Sequence, residues 1–268
     1  MYYSQWGLDE SPFPTIGAGH AYYPSPTHEE ALARLHFLVE QHRHFGLLLG
    51  ERGSGKSLVL SVFADQCRRA HAAVVRCNLT AVSSHEFPWL VAEQLGLSCS
   101  SQSAVLEVWR RLDDRFVEIG YERRSVVVLL DDVQRAAGDV LDQVRRLMHF
   151  DSVHGSPLTV IFAAPSHAAG QIPSDFHELA ALRIELEPWQ VDDTHAFLSS
   201  VVAGTEPSRS VFDEDAVRRI QENAKGNPRR IVQLADLALL VGAGEEAARV
   251  GEQIVAKAAE QLVLVADS

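Results

Sequence analysis

The segment Gly50-Glu51-Arg52-Gly53-Ser54-Gly55-Lys56-Ser57 constrains this chain more than any other. It follows the apolar run GLLLG at 46–50 and precedes a helical pattern at about 57–70, so a short buried strand turns through glycines into a helix. The spacing is GxxxxGK[ST], in the strand–loop–helix context that a phosphate-cradling loop requires. Glycines let the backbone wrap phosphate oxygens without steric penalty, and the free N–H groups of the helix start supply positive potential. Lys56 is placed to neutralise β- and γ-phosphates and Ser57 to ligate Mg²⁺. The alternative, a fortuitous glycine turn, leaves the agreement of spacing and context unexplained.

A second stretch, VVVLLDD at 126–132, ends an apolar run in two adjacent carboxylates. Ionised groups there are costly unless something pairs with them. Downstream of a phosphate loop, Asp131 reads as the carboxylate on the metal side, and Asp132 is placed to orient or deprotonate an attacking water. The competing reading is that one of them caps the next helix.

Around these motifs strands and helices alternate. Strands are expected at 46–50, 72–77, 125–130, 158–163 and 183–187, with helices near 57–70, 86–95, 103–119, 139–149 and 175–181. Capping-box spacing opens two helices: Thr27 to Glu30, running to about Phe45, and Ser83 to Glu86. Near-continuous apolar strands between helices imply an α/β fold, a parallel sheet with helices on both faces. After Pro188 only helical patterns remain, at about 191–203, 213–224, 228–242 and 245–263. The expected organisation is an N-terminal arm (1–26), a P-loop α/β domain (27–189) and a small all-helical lid (190–268).

Composition removes several function classes. The formal net charge of -12 disfavours a protein whose main task is coating nucleic acid, although a local basic patch is compatible with it. No segment approaches the roughly 20 apolar residues of a membrane span. The start, MYYSQWGLDESPF, lacks the basic and apolar regions of a signal peptide, so a cytoplasmic protein without direct membrane insertion is expected. Cys67, Cys77 and Cys99 form no CxxC and read as reduced thiols. His42 and His44 lie two apart on an expected helix, hence on different faces, which argues against a metal pair.

Several stretches together carry a family resemblance: YYSQWGLDESPF, YYPSPTHEEALARL, GERGSGKS, VVVLLDDVQ, ELEPWQVDDTHAFL and GNPRRIVQLADLAL. The chain resembles AAA+ ATPases over nearly its whole length, and within them the secretion-pathway protein A (ExeA-like) group, related to transposition ATPases of the TniB/MuB kind. The resemblance implies an ATP site formed by Gly50, Glu51, Arg52, Gly53, Ser54, Gly55, Lys56, Ser57 and Leu58, with Mg²⁺ held by Ser57 and Asp131. Arg229 resembles the arginine that reaches from the lid to the phosphates; the alternative is a solvated helix start. Tyr22, Tyr23 and Pro24–Pro26 resemble the arm that packs near adenine, or are plain arm-to-core packing. Gln134 is the implied γ-phosphate sensor.

Two departures bear on turnover. The family's usual Asp-Glu is Asp-Asp here, so the base Asp132 is one methylene shorter. The strand LTVIFAAPSH resembles the polar-tipped sensor strand but carries Ala163-Ala164, with Ser166 as a substitute. Arg183 is the nearest match to an arginine finger, or a plain strand-edge arginine. Nucleotide binding is expected, with slow turnover. The leading expectation is an ATPase that binds MgATP between its two domains, oligomerises and acts on a protein partner in secretion or envelope machinery. Relatives of the secretion group continue into a membrane span and a peptidoglycan-binding region, which this sequence lacks; a stand-alone relative or an ATPase domain alone is expected. The rivals are a DNA-associated transposition regulator, against which the charge counts, and a nucleotide-gated scaffold with little turnover.

Overall fold

Apolar runs without alternation become the centre of a five-stranded parallel sheet, ordered β2-β3-β4-β1-β5. The structure, a computed structural model, describes residues 2–13, 22–99, 104–150, 157–202 and 211–266. Residues 14–21 of the expected arm, and 203–210 and 267–268 of the expected lid, lie outside the described residues. The strands are β1 (Phe45–Gly50), β2 (Ala73–Asn78), β3 (Val126–Asp131), β4 (Leu158–Pro165) and β5 (Leu182–Leu186). Every residue of β1, β3 and β4 is buried, because helices cover both faces of these inner strands. The edge strand β5 alternates instead, with Arg183 and Glu185 exposed and Ile184 and Leu186 buried.

The chain divides into two compact units, one comprising His28–Arg52 and Lys56–Leu186, the other Met1–Thr27, Gly53–Gly55 and Glu187–Ser268. In the first, one sheet face packs on α3 (Glu86–Gln94), α4 (Val105–Tyr121) and α5 (Gly138–Met148). Helix α4 turns Val108, Trp109, Leu112, Phe116 and Ile119 inward, the spacing of one helical face. Phe45, Phe162 and Phe176, the last on α6 (Ser174–Leu179), meet edge-on or tilted at 4.7–5.6 Å between ring centres. The opposite face takes α1 (Pro26–Glu40) and α2 (Lys56–Arg69). Gly46 leaves room for α1: a Cβ there would stand 2.4 Å from Leu38 Cδ1 and force that side chain to shift.

Helix α1 ends at Glu40, five residues before the expected end at Phe45. Arg43 N–H bonds to Leu38 O and His42 N–H to Val39 O, a Schellman closure with His42 at φ +50. Histidine occupies the position where glycine usually signals the stop, and His42 and His44 therefore sit in a turn, not on a helix. The same closure ends α2 with His71 and α4 with Arg123 in the left-handed conformation. Thr27 is not an N-cap. The helix starts at Pro26, whose fixed φ suits a first helical position, and Thr27 Oγ1 accepts the Glu187 N–H at 3.0 Å. The Ser83–Glu86 box does form: Ser83 N–H donates to Glu86 Oε2 at 2.9 Å and Glu86 N–H to Ser83 Oγ at 3.2 Å.

The second unit is helical: α7 (Val191–Val201), α8 (Glu214–Ala224), α9 (Pro228–Gly244) and α10 (Glu252–Ala266). Asp213 caps α8 by accepting from Ala216 N–H at 2.7 Å, and Asn227 caps α9. The final helix starts at Glu252, later than the expected 245. Glu246 closes α9 at φ +51, and Val250 forms a bridge with Phe212. A short 3-10 helix, Tyr2–Trp6, docks on α9: Trp6 Nε1 donates to Leu239 O at 3.0 Å, and Tyr2 bonds to Asp236. Among the described residues no helix is long and apolar enough to cross a membrane.

Candidate functional site

The loop after β1 starts where the strand's ladder ends, at Gly50, opposite Pro165 of β4 and Leu186 of β5. Helix α2 then begins at Lys56, so the side chains of Lys56 and Ser57 emerge from its first turn. Lys56 is only 9% exposed, and its Nζ donates to Gly50 O at 2.8 Å and Glu51 O at 2.9 Å. Those bonds compensate the burial of an ammonium group. Gly55, at φ +99, and Gly53, at φ +88, adopt left-handed backbone that side-chain-bearing residues rarely take. Glu51, Arg52 and Ser57 are exposed, Ser54 is buried and Leu58 is half-buried.

Strand β3 delivers the two acids to the same end of the sheet. Asp131, 5% exposed, accepts Ser57 Oγ at 2.5 Å on Oδ2 and the Asp132 N–H at 3.0 Å on Oδ1. Asp132 leaves the strand through the left-handed region at φ +54. Asn78 Nδ2, from the neighbouring strand β2, donates to its Oδ2 at 2.9 Å, and Gln134 Nε2 donates to Oδ1 at 3.0 Å. Burial works to raise the Asp132 carboxyl pKa, but those two donors and the charges of Arg135 and Lys56 outweigh it and hold it below its ordinary value. Gln134 Oε1 is buried without a partner among the described residues.

The remaining expected residues have partners of their own. Ala163 and Ala164 are fully buried in β4, and Ser166 donates its hydroxyl to Glu185 Oε1 at 2.9 Å. Arg183 pairs with the same Glu185 at 3.5 Å on the exposed edge strand. In the helical unit, Tyr23 packs edge-on against Trp189 and Phe197 at 5.5 and 5.3 Å, and Tyr22 precedes it half-buried. Arg229 has an exposed side chain, while its N–H donates to Gly53 O at 3.3 Å within that unit's residue set. A Cβ on Gly53 would meet Asn227 Oδ1 at 2.7 Å.

Asn78 and Arg76 are the residues sequence reasoning missed. Both lie in β2, two apart and therefore on one face, and Arg76 reaches the carbonyl of Ser57 at 3.0 Å. The available signal was the polar break R-C-N at the carboxyl end of an otherwise apolar strand.

The sequence profile of the AAA domain family matches residues 39–172, half of the chain. General secretion pathway protein A of Aeromonas hydrophila is 23% identical over 244 residues, covering 90% of this chain and 44% of that protein. The chain thus spans less than half the length of that curated relative. Among solved structures, Cdc6p from Pyrobaculum aerophilum superposes with a TM-score of 0.73 at 18% identity, covering 95% of this chain and 71% of that one. The Aeropyrum pernix ORC2 protein in its ADPNP–ADP complexes gives 0.68 at 15% identity, with 94% and 71% coverage. Drosophila ORC bound to DNA gives 0.71 at 15%, with 98% of this chain and 66% of that one.

Proposed function

The chain belongs to the AAA domain family, and from that premise we propose that it binds MgATP and hydrolyses it slowly. The observation that carries the reading is the convergence of Lys56, Ser57, Asp131 and Asp132 at one end of the sheet. Ser57 and Asp131 offer a hydroxyl and a carboxylate at 2.5 Å, hard oxygen donors that suit Mg²⁺. Bound there, the ion would draw charge from the β- and γ-phosphates. The loop amides from Gly50 to Leu58 wrap the phosphates, Lys56 exchanges its loop carbonyls for phosphate oxygens, and Arg229 adds a fixed positive fork. Tyr23 serves the adenine end and Gln134 the γ-phosphate. Asp132 accepts the proton of the attacking water. A depressed pKa makes it a weak base, and its oxygens are engaged by Asn78 and Gln134, so turnover is slow.

In this reading 27–189 is the catalytic domain, with 1–26 as its arm and 190–268 as a lid. The similarity to general secretion pathway protein A supports a protein partner of secretion or envelope machinery, and a cytoplasmic oligomer is part of the same proposal. A nucleotide-gated scaffold is the second reading, favoured by the buried Ala163-Ala164 pair and by Ser166 being engaged with Glu185. The test is direct. Lys56→Ala abolishes ATP binding, whereas Asp132→Asn retains binding and loses phosphate release. Unchanged rates in both variants sink the ATPase reading. Stoichiometric bound nucleotide without multi-turnover phosphate release selects the scaffold.

A further inference from the structure

Strand β2 is an edge strand, and an edge leaves outward N–H and C=O groups seeking partners. At Arg76 both are taken by one side chain. The Arg76 N–H donates to Gln94 Oε1 at 2.8 Å, and Gln94 Nε2 donates to Arg76 O at 2.9 Å. A primary amide thus imitates the missing strand and fixes the Arg76 backbone to the last residue of α3. The neighbouring Cys77 side chain points into the core, so Arg76 must point to the other face, toward α2. There its Nη2 donates to Ser57 O at 3.0 Å. Ser57 is therefore held at two points, its carbonyl by Arg76 and its hydroxyl by Asp131 at 2.5 Å.

Resting on the MgATP reading above, we infer that Arg76 is a positioning residue for the metal-side hydroxyl, and that Gln94 is the clasp that aims it. Ser57 sits in the first turn of a helix, where fraying moves the backbone most. Anchoring its carbonyl to a rigid strand limits that motion and keeps Oγ within reach of both Asp131 and a cation. Edge blocking alone needs only Gln94 and the Arg76 backbone. It does not need a guanidinium that spans to the loop helix. Residues that orient ligands in this indirect way typically change metal affinity about 10-fold or more when lost.

The experiment titrates MgCl₂ into the full chain with a fluorescent ATP analogue, and measures nucleotide affinity separately in EDTA. For Arg76→Ala, the Mg²⁺ concentration giving half of the metal-dependent gain in nucleotide affinity rises about 10-fold, while affinity in EDTA changes less than about 2-fold. Gln94→Ala keeps the charge and loosens the aim, so it moves the same midpoint in the same direction by a smaller factor. Arg76→Lys keeps a charge but has no planar fork, and recovers only part of the loss. An unchanged Mg²⁺ midpoint in both Arg76→Ala and Gln94→Ala overturns the inference. So does an equal loss with Mg²⁺ and in EDTA, which marks direct phosphate contact instead. If Arg76→Ala fails to fold, as read by its melting curve, Gln94→Ala alone decides. A wild-type chain that binds nucleotide in neither condition overturns the parent reading and this one with it.

Discussion

The α/β unit and the helical unit solve the same burial problem with different tolerances. In β1, β3 and β4 every side chain is buried, and each residue is also held by ladder bonds to a neighbouring strand. Position is specified twice, by packing on two faces and by register. In the helical unit backbone bonds run mainly within each helix, with a few between segments such as Trp189 N–H to Gly226 O, so placement depends on side-chain packing and a few close contacts. Gly226, at φ +69, would put a Cβ 2.3 Å from Trp189 O, and Gly242 would put one 2.9 Å from Trp6 Cζ2. The sheet distributes its specification over many residues, whereas the helices rely more on glycines, caps and the two tryptophans Trp6 and Trp189.

This contrast orders the expected effects of substitution. Phe162→Ala, at the centre of the sheet, removes a ring packed against Phe45 and Phe176 and costs roughly 3–5 kcal/mol in denaturant unfolding. A cost under 1 kcal/mol would mean the sheet core is far looser than its burial implies. Gly226→Ala adds a single methyl group, yet costs roughly 2–4 kcal/mol, because a backbone carbonyl cannot yield and left-handed backbone is strained for alanine. Its loss of amide-exchange protection should centre on α8 and α9; loss centred on β3 would break the contrast. Gly242→Ala meets only a ring edge, which can shift, and costs roughly 1–2 kcal/mol, read as a lowered melting temperature.

The smallest effect concerns pH. Asp132 titrates below its ordinary value in the folded chain, so it contributes stability above the ordinary carboxylate range that is lost as pH falls through the lowered value. Asn78→Ala removes one donor and leaves the burial that pushes the other way, so the carboxyl titrates higher and the acid transition moves to higher pH. Carboxyl-carbon NMR checks it; an unmoved Asp132 titration removes Asn78 from the account.

Much of this architecture was legible because it rests on short-range spacing. The glycine loop, the positions of β1, β3 and β4 along the chain and the acid pair at the end of β3 all follow from local patterns. The helix ends were less legible. His42, His71 and Arg123 terminate helices in left-handed backbone without glycine, so composition carried no stop signal. Thr27 matched a capping spacing, but its hydroxyl answers to Glu187, far along the chain. The partners of Asp132 were the least legible of all. Gln134 is local, but Asn78 reaches Asp132 only because β2 pairs beside β3 with Asn78 level with Asp131.

The sequence by itself determined what the covalent chain enforces at short range: a phosphate loop of set spacing, apolar runs that must be strands, and two acids at a strand's end. Tertiary structure alone decided strand order, which strand is an edge, and hence that Gln94, Arg76, Ser57, Asp131, Asp132 and Asn78 form one connected set. The physical reason is separation along the chain. Local spacing is fixed by bond geometry, whereas those side chains, from distant segments, meet only when buried strands choose neighbours by packing and register.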